Sequence, residues 1–429
     1  MENSRPRNPK QTRLRSRRLQ TWYPYYAGYS QDFVQDCIDL LNLPQDSTVL
    51  DPWNGSGTTT FTLKHNGLAG IGFDLNPVMV VVAKARLLSP TMLPSVSPLA
   101  LELVNGVSAH DSSADSDALA SWFKPGSVQL IKKLESSISR TLVPKGLRDL
   151  TIPQHVSALS TLSSFYYLAL FRTVRMALKT FQSSNPTWIR LPRSDDNRIS
   201  TSWRDISRLF LKEVAVMQNS VERHNVHDQD DADIRVMVGD ARSLCLEDGE
   251  MDAIITSPPY CTRIDYAVAT RPELAVLGFG LATGFSELRQ RLMGGVTIRQ
   301  SATVPRSRWG RTCLSTLEMI RDHTSKASET YYLRHFLQYF SDLELSFREL
   351  RRVISGEKNC IMVVQDSLYK EIHINLPKIA HEMANNFGFE LMRKFSYKVS
   401  CSFRHLNPRA RQHRRRWKPT EVVLLFRAT

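Results

Sequence analysis

A serine, two prolines and a tyrosine occupy positions 257–260, directly after an apolar run. The run, residues 251–255, predicts a buried strand, which places the tetrapeptide where a strand of an open α/β sheet ends and where such sheets bind ligands. Consecutive prolines stiffen the backbone and remove two N–H donors, while their carbonyls remain as acceptors. Acceptors beside the flat ring of Tyr260 suit a planar base that carries an exocyclic amine.

A second stretch has the order of a nucleoside-binding loop. A predicted strand, residues 47–51, is followed by Pro-Trp-Asn-Gly-Ser-Gly-Thr-Thr-Thr and then by a helical pattern. A strand, a glycine loop and a helix let the backbone approach a nucleoside closely, since glycine adopts backbone angles that other residues avoid. The loop lacks the Gly-Lys-Ser/Thr ending of a phosphate-binding loop, which argues against an NTPase.

Two more predicted strands end near an acid. Asp74 closes an apolar strand about 20 residues beyond the glycine loop, the spacing at which an aspartate can hold ribose hydroxyls. Asn76 and Pro77 then predict the cap and first position of a helix, and Asp74 has the alternative role of capping that helix. Asp240 follows a third strand, shortly before the tetrapeptide, although Gly-Asp is also an ordinary turn.

The tetrapeptide resembles the [DNS]-P-P-[YFW] motif of the amino-methyltransferases that act on nucleic acids. Its Ser-Pro-Pro-Tyr form is similar to the branch that methylates N4 of cytosine in DNA. The loop from Asp51 resembles the S-adenosyl-L-methionine loop of that family, with Trp53 where the family usually has Phe. The motif order is unpermuted, whereas many N4-cytosine enzymes carry the tetrapeptide first.

The resemblance implies a fold and a set of roles. The fold is α/β, a Rossmann-like seven-stranded methyltransferase sheet with a mainly helical insertion. Asp74 is expected to bind the ribose of the cofactor and Asp240 its adenine. The aromatic segment 22–30 resembles the one that closes over the methionine end of the cofactor; alternatively, its rings only pack against the first helix.

The candidate residues follow from these matches. The expected catalytic residues are Ser257, Pro258, Pro259 and Tyr260. The expected residues for S-adenosyl-L-methionine are Asp51, Pro52, Trp53, Gly55, Gly57, Thr58, Asp74, Asp240 and Tyr25. No metal is expected.

The expected activity is site-specific transfer of a methyl group from S-adenosyl-L-methionine to N4 of cytosine in DNA. Methylation of N6 of adenine, or of an RNA base, stays open because the same motif serves these amines. A non-catalytic DNA-binding module on the same fold is an alternative of another class. Methylation at C5 of cytosine is disfavoured, since it typically needs a cysteine that follows a proline and none does here.

The charge of the chain indicates a polyanionic partner. Its 429 residues carry a formal net charge of +14, and the basic residues cluster in the first twenty residues, around Arg306 and in residues 404–418. We expect double-stranded DNA as the partner, with binding that weakens with salt. The candidate DNA-binding residues are Arg409, Arg411, Arg414, Arg415, Arg416, Arg306 and Arg308. Whether a cognate restriction endonuclease exists stays open.

Composition also bears on location and domains. No apolar run is long enough for a membrane span, and six cysteines without a Cys-x-x-Cys pair predict reduced thiols. We expect a cytoplasmic protein of prokaryotic type, associated with the nucleoid. The predicted domains are a basic arm (1–20), a methyltransferase domain (21–90 and 233–429) and a mainly helical insertion with its own small core (91–232), a candidate DNA-recognition region. Residues 278–312 are expected to be mobile.

Overall fold

The computed structural model of the chain describes residues 5–10, 22–23, 28–106, 117–183, 188–222, 232–261, 264–280, 282–299, 303–398 and 418–429. The strands are β1 (Thr48–Asp51), β2 (Ala69–Asp74), β3 (Ile234–Val238), β4 (Met251–Thr256), β5 (Ile354–Gln365), β6 (Ser367–Tyr369), β7 (Ile372–Ile374), β8 (Phe389–Lys398) and β9 (Thr420–Ala428).

The α-helices are α1 (Gln31–Leu41), α2 (Thr58–His65), α3 (Pro77–Arg86), α4 (Leu93–Asn105), α5 (Pro125–Leu142), α6 (Pro153–Ser157), α7 (Thr161–Ala177), α8 (Trp203–Glu222), α9 (Tyr266–Ala269), α10 (Arg271–Val276), α11 (Gly284–Arg291), α12 (Arg311–Arg321), α13 (Leu333–Val353) and α14 (Leu376–Asn385). Among the described residues no single helix is long and apolar enough to cross a membrane. One pair of helical segments, Pro77–Arg86 and Pro90–Asn105, has the length and composition of a membrane span, but the two are bent by 82° relative to each other.

Seven of the strands form one twisted sheet in the order β3-β2-β1-β4-β5-β9-β8. The first five in this order are parallel, and β9 lies antiparallel between β5 and β8. The chain proceeds from β1 towards one edge and from β4 towards the other, so the strand order reverses between β1 and β4. The predicted α/β, Rossmann-like, seven-stranded sheet is confirmed, and this reversal point is where such sheets bind ligands.

The central strands form where short apolar runs can be buried on both faces of the sheet. Val49, Leu50, Ile254 and Ile255 are all fully buried. The predicted helix start after β2 is also confirmed in its details. Asn76 accepts a hydrogen bond from the Val78 N–H group at 3.1 Å, and proline occupies the first helical position.

Residues 91–232 are helical in the described parts, but their core is not separate. Helices α4 to α8 share one continuous hydrophobic cluster with α3 of the sheet. The reason lies in α3, whose valines at 78, 80, 81 and 82 are all fully buried, so the helix needs cover on its outer face as well as against the sheet. The domain boundaries and a role in DNA recognition stay predictions.

The segment 278–312, expected to be mobile, is folded against the rest of the chain where it is described. Phe285 and Leu288 of α11 are buried, and Trp309 is fully buried with its indole N–H donating to Glu344 at 2.7 Å. The expectation was wrong because it rested on the many glycines, arginines and threonines of this segment, whereas a few buried apolar side chains determine its packing.

Gly57 at the start of α2 gives a test of this packing. Its φ is +80°, and an added Cβ would lie 2.6 Å from the Cβ of Ala83 on α3. We expect Gly57→Ala to lower the free energy of unfolding by about 2–4 kcal/mol, because both the backbone and the helix contact would be strained. Urea denaturation measures the change.

Gly126 on α5 is the matched control. No atom lies within 4 Å of a Cβ added there, so Gly126→Ala should be neutral or stabilise the helix by up to about 1 kcal/mol. Equal effects of the two substitutions would contradict the role assigned to Gly57.

Candidate active site

A cleft opens at the carboxyl ends of β1, β2, β3 and β4, at the point where the strand order reverses. It brings the glycine loop and the proline tetrapeptide together as the sequence predicts. The predicted residues that line it are Asp51, Pro52, Trp53, Gly55, Thr58, Asp74, Asp240, Ser257, Pro258, Pro259 and Tyr260. Gly57 is not part of this lining and instead packs α2 against α3, whereas Tyr25 lies outside the described residues.

Asp51 is the centre of a hydrogen-bond network under the cleft. Its carboxylate accepts the hydroxyls of Tyr29 at 3.0 Å, Thr59 at 2.5 Å and Thr256 at 2.6 Å, and the N–H group of Trp53 at 3.2 Å. Burial raises the pKa of this carboxyl, and the hydrogen bonds oppose that rise. Because its oxygens are already engaged, Asp51 acts on the shape of the cleft by joining β1 to β4.

Asp74 both braces the glycine loop and lines the cleft. It accepts the N–H groups of Gly55 at 3.0 Å and Asn76 at 2.8 Å. Burial raises the pKa of the carboxyl to about 7, although these two hydrogen bonds counteract the rise. Asn54, beside it in the lining, has a buried side-chain NH₂ group that finds no acceptor among the described residues.

Asp240 is held by an arginine that the sequence reasoning missed. Arg242 binds its carboxylate through Nε at 2.8 Å and Nη2 at 2.7 Å, and reaches Asp342 through Nη1 at 2.8 Å. Burial alone would raise the pKa of Asp240, but the hydrogen bonds and charge of Arg242 outweigh it and lower the pKa. Asp240 therefore presents a fixed negative charge to the cleft.

Hydrogen bonds fasten the tetrapeptide to neighbouring elements. The Ser257 hydroxyl donates to the carbonyl of Val363 on β5 at 2.9 Å, and the Tyr339 hydroxyl donates to the Pro259 carbonyl at 2.8 Å. Within the described part of the chain, no hydrogen bond reaches the Pro258 carbonyl. The Ser257 oxygen and the Pro258 carbonyl therefore retain accepting capacity beside the cleft.

The side chain of Tyr260 is fixed at its far end. It is 7% exposed, and its hydroxyl donates to Glu421 of β9 at 2.6 Å. The ammonium group of Lys10 lies 5.7 Å from the centre of its ring. Neither Glu421 nor Lys10 was singled out for this site, since both are far from Tyr260 in the sequence.

Cys261 and Asp265, which follow the tetrapeptide, do not line the cleft, whereas residues of many other segments do. Asp265, next to the tetrapeptide, caps α9 by accepting the Val268 N–H group at 3.0 Å and pairs with Arg289, which gives it a structural role. Cys261 is buried, and burial raises the pKa of its thiol. Other lining residues are Tyr23, Gly28, Tyr29, Asn54, Ser56, Leu75, Asn76, Met79, Gly239, Ala241, Arg242, Ile264, Tyr266, Ala269, Thr270, Arg291, Leu292, Met293 and Ser346.

Some of these residues belong to motifs that the sequence indicates: Tyr29 lies in the aromatic segment 22–30, and Asn54 lies in the glycine loop. Those at 291–293 come from the segment expected to be mobile and carry no motif. In the described ranges, no group of three or more His, Cys, Asp or Glu side chains is arranged to hold a metal ion.

Of the candidate DNA-binding residues, Arg306 and Arg308 are described, and neither lines the cleft. Arg306 and Arg308 are about half exposed and lie 3.0 and 3.2 Å from the buried carboxylate of Glu344. Arg409, Arg411, Arg414, Arg415 and Arg416 fall outside the described residues, in the chain between β8 and β9.

Several curated proteins are similar to this chain in sequence, and no protein-family model matches it. Type II methyltransferase M.BsoBI of Geobacillus stearothermophilus is 23% identical over 367 residues, covering 79% of this chain and 63% of that protein. M.MvaI of Kocuria varians is 21% identical over 88% of this chain and 83% of its own length. M.AvaI of Nostoc sp. is 21% identical over 86% of this chain and 79% of its own length. The chain thus spans less than two thirds of the first of these relatives.

Solved structures align only loosely. A SAM-dependent methyltransferase from Methanosarcina mazei aligns with a TM-score of 0.30 at 9% identity, over 91% of this chain and 96% of its own. A sarcosine dimethylglycine methyltransferase from Galdieria sulphuraria gives 0.31 at 10% identity, over 92% and 84%. At such scores the fold assignment depends on the strand order itself. Over most of its length, the chain is similar in sequence to type II methyltransferases.

Proposed function

We propose that this chain is an S-adenosyl-L-methionine-dependent DNA methyltransferase that acts on an exocyclic amine. The observation that carries the proposal is the shared cleft, in which the glycine loop and the Ser-Pro-Pro-Tyr corner face each other at the sheet's reversal point. The similarity to type II methyltransferases supports it. A methyl donor in the loop and an amine at the corner would lie within one cavity.

The residues of the loop side fit S-adenosyl-L-methionine. Asp74 offers a carboxylate for ribose hydroxyls, and Asp240 an acceptor for an adenine amine. The buried NH₂ group of Asn54, without an acceptor among the described residues, is a donor suited to a polar ligand atom. The aromatic rings of Tyr29 and Trp53 suit a cationic sulfonium. When bound, the cofactor supplies an activated methyl group.

The corner side fits an amine that donates two hydrogen bonds. The amine of a base is a poor nucleophile because its lone pair is delocalised into the ring. Hydrogen bonds from the amine to the Ser257 oxygen and the Pro258 carbonyl favour a pyramidal nitrogen with a freer lone pair. Tyr260 stacks on the base, so the chain contributes mainly positioning and electrostatics.

For the substrate we propose N4 of cytosine in double-stranded DNA. The serine at position 257 supports cytosine over adenine N6, which is the second candidate. The amine is hidden in a duplex, so the base must leave the stack at a cost of a few kcal/mol. The net charge of +14 and the half-exposed Arg306 and Arg308 support contact with phosphates. We also propose a cognate restriction endonuclease as a partner, which would make this chain the protective half of a restriction–modification pair.

The function is tested by incubating the chain with labelled S-adenosyl-L-methionine and DNA and identifying the modified nucleoside by mass spectrometry. N4-methylcytosine is the expected product. N6-methyladenine would shift the assignment to the second candidate. Cofactor binding without transfer to any nucleic acid would identify a non-catalytic binding module.

Tyr260→Ala separates the two sides of the cleft. We expect methyl transfer to fall by roughly 10- to 100-fold, because stacking on an aromatic ring contributes about 1–3 kcal/mol per base. Affinity for S-adenosyl-L-methionine should change by less than about twofold. Transfer rates and calorimetry measure the two quantities, and an equal loss of both would contradict the stacking role.

Asp74 gives cofactor binding a pH signature. Its pKa of about 7 in the folded chain lies above the unfolded value of about 3.9, so the folded state holds the proton more tightly. The contribution of this carboxyl to stability therefore falls as the pH rises from about 4 to about 7. The ionised carboxylate accepts hydroxyl hydrogen bonds more strongly than the neutral acid, so cofactor affinity should rise several-fold between about pH 6 and about pH 8.

Isothermal titration calorimetry across this pH range measures the effect. Asp74→Asn is the control, because it keeps the size of the side chain and cannot ionise, while the cofactor's own amino group titrates in both proteins. An identical pH dependence in the two proteins would show that Asp74 does not contact the cofactor.

A further inference from the structure

The support of the Tyr260 ring comes from a buried glutamate. Glu421, the second residue of β9, is 1% exposed. Its Oε1 atom accepts a hydrogen bond from the Tyr260 hydroxyl at 2.6 Å. Hydrogen bonds to an ionised acceptor are shorter and stronger than those between neutral groups. The two prolines before Tyr260 fix its backbone, and Glu421 fixes the opposite end of its side chain.

A carboxylate in this position is expensive to bury unless other groups compensate its charge. Among the described residues, the Glu421 Oε2 atom accepts no hydrogen bond. Among the described residues, the ammonium group of Lys10 supplies a compensating charge, 3.9 Å from Oε1 and 5.7 Å from the centre of the Tyr260 ring. One cation therefore faces both the carboxylate and the ring that it holds.

Lys10 reaches this place because residues 5–10 are anchored along the sheet. Arg7 binds Asp36 of α1 at 2.7 Å through Nε, and the Ser30 N–H group donates to the Pro9 carbonyl at 2.8 Å. Lys10 itself donates to the carbonyl of Gly28, a residue of the cleft lining, at 2.7 Å. This part of the basic arm is therefore bound to the folded chain beside the catalytic corner.

We infer that Glu421 is the positioning residue for Tyr260, with Lys10 as its charge partner. The inference rests on the proposed function and deepens it. A ring held by its backbone and by its hydroxyl presents one face to the base before the base arrives, so little side-chain entropy is lost on stacking. Glu421 acts through Tyr260 and does not touch the reacting atoms.

Three substitutions at two positions test the inference. Glu421→Ala should lower kcat by about tenfold or more, with S-adenosyl-L-methionine affinity unchanged within about twofold. Glu421→Gln keeps an oxygen acceptor for the Tyr260 hydroxyl and should recover most of that loss. Lys10→Met, which removes the charge and keeps the length of the side chain, should lower kcat by a smaller factor than Glu421→Ala.

A double-mutant cycle separates positioning from general destabilisation. Tyr260→Phe and Glu421→Ala each break the same hydrogen bond, so the double variant should lose no more kcat than the more impaired single variant. If the fold-losses in kcat of the two single variants instead multiply in the double variant, Glu421 acts independently of Tyr260 and the inference is overturned.

Glu349→Ala is the matched control. Glu349 accepts the Leu244 N–H group at 2.7 Å and pairs with Arg352 just before β5 begins, and it is not among the residues that line the cleft. It should lower the melting temperature while kcat stays unchanged. If Glu421→Ala lowers only the melting temperature, as this control does, the inference fails while the proposed function stands. If the unmodified chain transfers no methyl group to nucleic acid, the proposed function itself fails.

Discussion

A buried carboxylate at the end of β1 is the constraint on which the cleft depends. Asp51 takes hydroxyls from the segment before α1, from α2 and from β4, so three separate elements converge on one pair of oxygens. A charge in this environment is tolerated only when its lone pairs are satisfied. The requirement leaves little freedom in how β1 and β4 approach each other, and the width of the cleft between the glycine loop and the proline corner follows from it.

The two sides of the cleft are rigid for different reasons. On one side, glycine permits the turn, and Asp74 draws the Gly55 N–H group into place. On the other side, prolines restrict the backbone, and hydrogen bonds through Ser257 and from Tyr339 fasten it to β5 and α13. A site prepared in this way spends little binding energy on ordering itself when ligands enter.

The sequence predicts those features of the fold and the site that depend on neighbouring residues. The apolar runs before Asp51, Asp74 and Ser257 identified three strand ends, and Asn76 with Pro77 identified a helix start, because each depends on a few adjacent residues. The partners Lys10, Arg242 and Glu421 carry no such pattern: Glu421 meets Tyr260 across 161 positions. The expectation that the helical insertion has its own small core was wrong for a related reason, since its core is shared with α3, and only the packed structure shows which apolar surfaces meet.

The place of β9 in the sheet has a consequence for assembly. This strand pairs with segments close to it in sequence, Asn359 of β5 with Arg427 and Lys398 of β8 with Thr420, whereas β1 pairs with the more distant β4 through Val49 and Ala253. Closing the larger loop costs more entropy before any contact repays it, which makes the pairing of β1 with β4 the slower one. The glutamate that steadies the aromatic ring can therefore be in place early, and the glycine loop meets the proline corner last. Opening of the hairpin formed by β8 and β9 would remove the support of the aromatic ring and leave the glycine loop intact.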